Sequence, residues 1–417
     1  MNILYVTSSC PYGAGETFIL PELEELRRRG HGLRVVPTLP RGAVLHREAA
    51  AVLEFTALAP LFGVQVARDA LLETVRAPAR VWRAFRLLLT PRPLHLLKNL
   101  SVFPKGLWLA RYARRWGAQR IHAHWAATSA SLALVASEVS GIPWGLTAHR
   151  WDIVENNLLT RKAQRAMFTR FISESGLALA RARGLSGSAG SVVLHMGTRL
   201  PARPPGARPA HAESGLRLLC PANLLPVKGH RYLLEALSLV RGYPVELWLA
   251  GQGELASVLR QQARQLGLGP RVRFLGHVPH DELLRLYEGG EVDAVVLPSV
   301  DLGGGLHEGI PVALLEGMAY GLPVLSTTTG GIPELLSGGA GLLVPPQDPA
   351  ALAQAIVALH TRPELRRALG EAGQRRVREE YAIEAVVDRL EQYLQGGTRA
   401  AGGRVQPRRP GLQGGQP

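Results

Sequence analysis

The chain has 417 residues, enough for two domains of ordinary size, and its 46% apolar and 19% charged residues exclude a wholly disordered or fibrous protein. Its formal net charge of +15 is unevenly spread: residues 1–200 hold 26 Lys/Arg against 12 Asp/Glu, and the remainder hold 22 against 21. No run of 18 uncharged apolar residues offers a membrane-spanning helix, and the two cysteines, Cys10 and Cys220, are too few for a disulfide scaffold or a structural zinc site.

In chain order, Asn2-Ile3-Leu4-Tyr5-Val6 reads as a buried parallel strand. It has neither the basic flank nor the long apolar run of a signal peptide, so a cytoplasmic location is expected. A turn over 7–15, a helix from Glu16 to Gly30 and a strand over 33–36 complete a strand–helix–strand unit. Residues 49–116 turn helical and are divided by Pro78, Pro91, Pro93 and Pro104. Between Val64 and Arg120 there are twelve basic residues and two acidic ones, Asp69 and Glu73. A field of that sign attracts anionic headgroups, lipid-linked phosphates or nucleic acid; the plainer alternative is the solvated face of an arginine-rich chain. Short strands then resume at 121–124, 144–147, 170–173 and 191–194, with a helix over 128–140 that Gly141 ends.

Residues 201–214, PARPPGARPAHAES, carry four prolines and no apolar periodicity, and read as a linker. A second alternation follows, with strands at 216–220, 245–249, 272–275, 294–297 and 324–326, helices from about Gly229, Glu254, Asp281, Pro311 and Ile332, and three closing helices. The organisation expected is a Rossmann-like domain over 1–200, a linker over 201–215, a second Rossmann-like domain over 216–380, a helix over 381–395 crossing back to the first, and a disordered basic tail over 396–417. Two doubly wound α/β halves of this kind hold a ligand in the crevice between them, at the carboxyl ends of both sets of strands.

The densest chemistry lies in 297–334, LPSVDLGGGLHEGIPVALLEGMAYGLPVLSTTTGGIPE. Gly303-Gly304-Gly305 follows a strand, and Gly309-Ile310-Pro311 opens a helix whose free N–H groups and dipole suit a diphosphate. Glu308 precedes that helix, and Glu316 lies eight residues on, roughly on the same side. Asp293 and Asp301 form no Asp-x-Asp pair, no His/Cys cluster is present, and no metal is expected. Glu334 reads equally as a helix N-terminal charge.

These residues resemble the family 4 retaining, nucleotide-sugar-dependent glycosyltransferases, whose E-x7-E element is matched by Glu308 to Glu316 in EGIPVALLE. PANLLPVKGH (221–230), LAGQGE (249–254) and VRFLGHV (272–278) resemble the family's donor-domain segments. SSCPYGAGETF (8–18), IHAHWA (121–126) and TAHRWDI (147–153) are similar to its acceptor-side segments, notably those of exopolysaccharide and colanic-acid enzymes. The resemblance implies the GT-B architecture, two Rossmann-like parallel-sheet domains facing across a cleft. It implies transfer of a sugar from a UDP- or GDP-sugar to an acceptor hydroxyl with retention, without a prosthetic group, in exopolysaccharide or cell-envelope glycan synthesis.

By the same resemblance Glu316 binds the ribose, Glu308 a sugar hydroxyl, and Lys228 the diphosphate, with Asn223 standing where the family usually has arginine. Gly15, Gly276, His277, Val278, Gly304, Gly305, Leu306, His307, Gly309 and Ile310 complete the implied donor site. His124 is implied as the active-site histidine, with Lys228 and Glu308 as its catalytic partners; His122 is assigned to the opposite face of its strand. Gly13, Glu16, Thr17, His149 and Asp152 are expected on the acceptor side. The basic segment in that half points to an anionic or lipid-linked saccharide acceptor and to peripheral contact with the inner membrane face. A sugar-nucleotide epimerase or a phosphorylase of the same fold is the alternative, although no motif marks the pyridoxal-phosphate lysine a phosphorylase needs. A nucleic-acid-binding protein is not expected, because the basic segment lacks interleaved aromatics and that reading leaves Glu308 and Glu316 without a role.

Overall fold

A computed structural model of the chain describes residues 1–13, 15–44, 47–187, 190–201, 215–303 and 306–396. Gly304, Gly305, almost all of the expected linker and all but Gly396 of the expected tail lie outside the described residues.

The first half builds a six-stranded parallel sheet from β1 (Asn2–Thr7), β2 (Gly32–Pro37), β3 (Arg120–His124), β4 (Trp144–Ala148), β5 (Thr169–Phe171) and β6 (Ser191–Val193), in the order β2-β1-β3-β4-β5-β6. The second half builds another from β7 (Leu216–Pro221), β8 (Val245–Ala250), β9 (Val272–Gly276), β10 (Ala294–Leu297), β11 (Val324–Thr327) and β12 (Leu342–Val344), in the order β12-β11-β10-β7-β8-β9. The doubly wound two-domain α/β expectation is met. Its strands are apolar runs rather than alternating ones because helices cover both faces. Strand order reverses at β1 in one sheet and at β7 in the other, and crevices for ligands open at such reversals.

Three of the four dividing prolines stand at helix starts: helices begin at Pro78 and Pro93, and Pro104 lies in the first turn of Phe103–Trp116, while Pro91 lies in the connection before Pro93. At a helix start a missing N–H costs nothing. The expected helix from Glu16 is a short 3-10 turn, Thr17–Ile19, followed by Leu20–Arg28. The sequence reading missed β12, three apolar residues too short for a period to register.

The last helix, Ile383–Leu394, packs on the first domain. Ile383, Val386, Val387, Leu390 and Leu394 join a core with Ile3, Leu23, Leu26 and Phe168. Each such burial is worth about 1.5–3 kcal/mol relative to exposure. Arg29 Nη1 pairs with Glu391 at 2.9 Å, and the Arg120 guanidinium donates to the Leu394 carbonyl. Glu334 is a second tie between the halves rather than only a helix charge: it accepts from the Glu174 backbone N–H at 3.0 Å and from His195 Nε2 at 2.7 Å.

Candidate active site

A cleft of about 610 Å³ lies between the two sheets and is lined from both domains. The second-domain wall is built on the switch point. After β7 the chain passes Asn223, makes a 3-10 turn over Pro226–Lys228, and enters helix His230–Leu239 through Gly229. Gly229 has φ +66, and a Cβ there would stand 1.9 Å from the Pro298 carbonyl oxygen, so only glycine lets the loop lie against the end of β10. That contact delivers Lys228 to the cleft, where its Nζ pairs with Glu308 Oε1 at 2.6 Å.

Glu308 sits in the loop after β10. The helix behind it runs Val312–Ala319 with Pro311 at its N-cap, one residue later than the sequence suggests. Counting helical turns between the two glutamates therefore does not apply. Both line the cleft all the same, the loop of Glu308 lying so close to Gly330 that a Cβ there would stand 1.8 Å from the Glu308 carbonyl oxygen. Glu316 Oε1 accepts from His280 Nε2 at 2.8 Å. His280 was missed by the sequence reading; it starts the helix after β9 and is one residue in a chain of unremarkable polar positions.

On the first-domain wall, Glu16 is an organiser of loops. Its carboxylate accepts from the backbone N–H groups of Ser8 (3.1 Å), Ser9 (2.6 Å) and Cys10, and from the Trp125 indole. Trp125 has φ +98, a costly conformation for a bulky side chain. It is held there by its N–H to the Thr147 carbonyl (3.0 Å), by Asp152 accepting from the Ala126 N–H, and by Lys162 Nζ donating to the Ala126 (2.9 Å) and Ala127 (2.6 Å) carbonyls. Asp152 and Lys162 are both buried, and burial pushes the carboxyl up and the amine down, each opposed by the other's charge.

The histidines require two corrections. His122 and His124 lie on the same face of β3, since residues two apart on a strand share a face; both rings pack against Tyr5, at 5.0 and 5.8 Å. His149 lines the cleft, while His124 is fully buried behind it, with their Nε2 atoms 2.7 Å apart. Burial holds His149 down to about 3 and His124 well below the usual imidazole range, so both rings are neutral at physiological pH.

Of the expected donor residues, Gly15, Asn223, Lys228, His277, Val278, His307, Glu308, Gly309, Ile310 and Glu316 line the cleft, as do Thr17 and His149 from the acceptor set. Gly276 and Leu306 adjoin the cleft residues in sequence but do not line it. Arg150, next to His149, was missed; it lines the cleft, and burial lowers its guanidinium to about 10 against the pull of Asp301 and Glu308, which leaves it cationic. Gly13, Glu16 and Asp152 line a neighbouring first-domain pocket of about 710 Å³ that shares Gly15, Trp125 and Trp151 with the cleft. Among the described residues one grouping, Glu22, His122 and His124, brings metal-ligand atoms within 4.8 Å, but Arg170 and Tyr5 already occupy the Glu22 carboxylate.

Residues 207–376 match the family of "Glycosyl transferases group 1". That match takes in the whole second sheet, from β7 to β12. The chain is 32% identical over 181 residues to a GDP-mannose-dependent monoacylated alpha-(1-6)-phosphatidylinositol monomannoside mannosyltransferase of Corynebacterium glutamicum, covering 43% of this chain and 46% of that one. It is 37% identical over 147 residues to the amylovoran biosynthesis glycosyltransferase AmsK of Erwinia amylovora, covering 34% and 36%. The chain thus spans less than half the length of these relatives. Anabaena HepE, solved in complex with UDP, has the same fold, with a TM-score of 0.70 at 17% identity over 95% of this chain and 100% of that one. The two facing parallel-sheet domains give the whole chain the GT-B architecture.

Proposed function

We propose that the protein is a retaining glycosyltransferase of the family 4 type, transferring a sugar from a UDP- or GDP-sugar to an acceptor hydroxyl in exopolysaccharide or cell-envelope glycan synthesis. The observation that carries this reading is the convergence, in the cleft between two parallel sheets, of two cations (Lys228 and Arg150) with two carboxylates (Glu308 and Glu316). A nucleoside diphosphate sugar presents the matching groups: two phosphates, a ribose diol and sugar hydroxyls.

In the reaction, the bond between the anomeric carbon and the diphosphate oxygen breaks and the electron pair leaves with the phosphate. Lys228, Arg150 and the N–H groups ahead of helix Val312–Ala319 stabilise that developing charge. Arg150, reaching in from the first domain, supplies the charge that Asn223 does not. Glu316 binds the ribose and Glu308 a sugar hydroxyl. The acceptor oxygen bonds to the anomeric carbon on the face the phosphate leaves, and its proton passes to the departing phosphate oxygen, which preserves the anomeric configuration. No metal is needed in this scheme, because the protein's own cations neutralise the diphosphate.

The acceptor occupies the 710 Å³ pocket and meets the donor beside Trp125. An anionic or lipid-linked acceptor at the inner membrane face fits the surface next to it: helices Val64–Arg76, Pro78–Leu88 and Pro93–Ser101 expose Leu71, Val75, Trp82, Leu94 and Leu97 among Arg76, Arg83, Arg86 and Arg92. Such a mixture binds anionic bilayers from one side. No described helix is long and apolar enough to cross a membrane.

The test is calorimetric titration and thermal shift with UDP-glucose and GDP-mannose, with and without EDTA, on the native protein and on Glu316→Ala. Binding of one nucleotide class that survives EDTA and is lost in Glu316→Ala is expected; absence of binding by either sugar nucleotide overturns the reading.

A further inference from the structure

Behind His149, buried side chains form one hydrogen-bonded line. Arg170 Nη1 donates to Glu22 Oε2 at 2.6 Å, with both side chains out of solvent. Tyr5 Oη bonds Glu22 Oε1 and stands 3.0 Å from His124 Nδ1. His124 Nε2 is 2.7 Å from His149 Nε2. The line joins the first helix, three strands and the cleft, and the reaction scheme above uses none of it.

Chemistry dictates the direction of each bond. Burial raises the Glu22 carboxyl, but Arg170, His122 and the hydrogen bonds it accepts more than offset this, so Glu22 is ionised and can only accept. Tyr5 therefore gives its single hydroxyl hydrogen to Glu22, and its oxygen accepts from His124. A neutral imidazole carries one N–H, so His124 has its hydrogen on Nδ1 and a lone pair on Nε2. His149 must then donate from Nε2, which leaves its Nδ1 as an acceptor.

We propose that Glu22 is a positioning residue that acts through Tyr5 and His124 to set His149 as a neutral ring whose Nδ1 accepts a hydrogen bond from a hydroxyl of the bound ligand. A neutral acceptor selects a hydroxyl and disfavours a phosphate. It thereby orients a sugar nucleotide across the cleft, diphosphate toward Lys228 and Arg150, sugar toward His149. A neutral ring also lies beside a cationic sugar transition state without the repulsion an imidazolium would exert. The choice of ligand rests on the proposed function; the tautomers do not.

A specific variant separates this role from simple packing. In Glu22→Gln the carboxamide oxygen faces the Arg170 donor, so its NH2 faces Tyr5. Tyr5 then donates to His124 Nδ1, and the whole line reverses: His124 becomes Nε2–H and His149 becomes Nδ1–H.

The experiment is two-bond 1H–15N correlation spectroscopy of the full chain with 15N-labelled histidine, between pH 6 and 8. In the native protein His124 is expected as Nδ1–H and His149 as Nε2–H, and in Glu22→Gln both are expected to invert. The opposite tautomers in the native protein, or a folded Glu22→Gln with tautomers unchanged, overturns the proposal. Should Glu22→Gln not fold, Tyr5→Phe serves: His124 is expected to become a mixture of tautomers, and an unaltered Nδ1–H form counts against the line.

Turnover of UDP-glucose or GDP-mannose supplies the second readout. Glu22→Gln is expected to lower kcat about tenfold while the Kd for UDP or GDP stays within twofold. A matching fall in nucleotide affinity marks a merely structural role and overturns the proposal. If neither sugar nucleotide binds, the proposed function fails, while the spectroscopy still decides the tautomers.

Discussion

Lys228 Nζ and Glu308 Oε1 lie 2.6 Å apart and join the loop after β7 to the loop after β10. The cation proposed for the diphosphate is thus paired with the carboxylate proposed for the sugar. On the proposed function, a diphosphate entering the cleft is expected to displace Glu308 from Lys228 and leave the carboxylate free to accept from a sugar hydroxyl.

Opposite effects on affinity follow for the two partners. Lys228→Ala removes a charge-assisted contact worth about 1.5–3 kcal/mol, and the Kd for UDP or GDP is expected to rise roughly 10- to 100-fold. Glu308→Gln removes an internal competitor, so nucleoside diphosphate binding is expected to tighten while sugar transfer falls. Isothermal titration of both variants checks this, and weaker nucleotide binding in Glu308→Gln would contradict the exchange of partners.

Glu316 and its partner His280 occupy the end of the cleft assigned to the nucleoside. Glu316→Ala is expected to weaken UDP and GDP by about tenfold or more, in line with loss of a hydrogen bond to a charged group, and to leave inorganic pyrophosphate binding unchanged. Competition between pyrophosphate and UDP in the two proteins reads this directly.

Acid sensitivity follows from the buried histidines. Burial holds His230 and His122 down to about 4, below the 6.5 of an unfolded chain. Above pH 6.5 both states are neutral and nothing is lost. As the pH falls from 6.5 toward 4 the unfolded chain takes up protons that the folded one does not, so stability is lost, by about 1.4 kcal/mol per pH unit for each such histidine. His230 has no hydrogen-bond partner on either ring nitrogen among the described residues, which makes it the cleaner test. Urea denaturation at pH 7.5, 6 and 5 is expected to show a smaller slope in His230→Gln than in the native protein.

Gly229→Ala tests the geometry that presents Lys228. The added methyl meets the Pro298 carbonyl, and the backbone sits at φ +66, so the loop must shift. A loss of about 1–3 kcal/mol in stability is expected from the strain, together with weakened nucleotide binding. Unchanged Tm and Kd would show that the loop tolerates a second conformation.

The sequence by itself determined most of the strands and many of the helices, since apolar runs, proline starts and glycine stops are local properties of the chain, whereas elements as short as β12 carry too few residues for a pattern. It also marked Asn223, Lys228, Glu308 and Glu316 of the second-domain wall, because they fall in two short motifs beside strand ends. Only the tertiary structure decided what those residues touch. Lys228 meets Glu308 80 residues on, Glu316 meets His280, and Arg150 enters from the other domain, all through contacts that no local period encodes. The same holds for the histidines: a strand's two-residue repeat puts His122 and His124 on one face, but which of His124 and His149 reaches the cleft depends on how β4 lies against β3. Fold is written in short-range pattern, whereas the site arises where two sheets bring distant loops together and burial then sets the charge of what they carry.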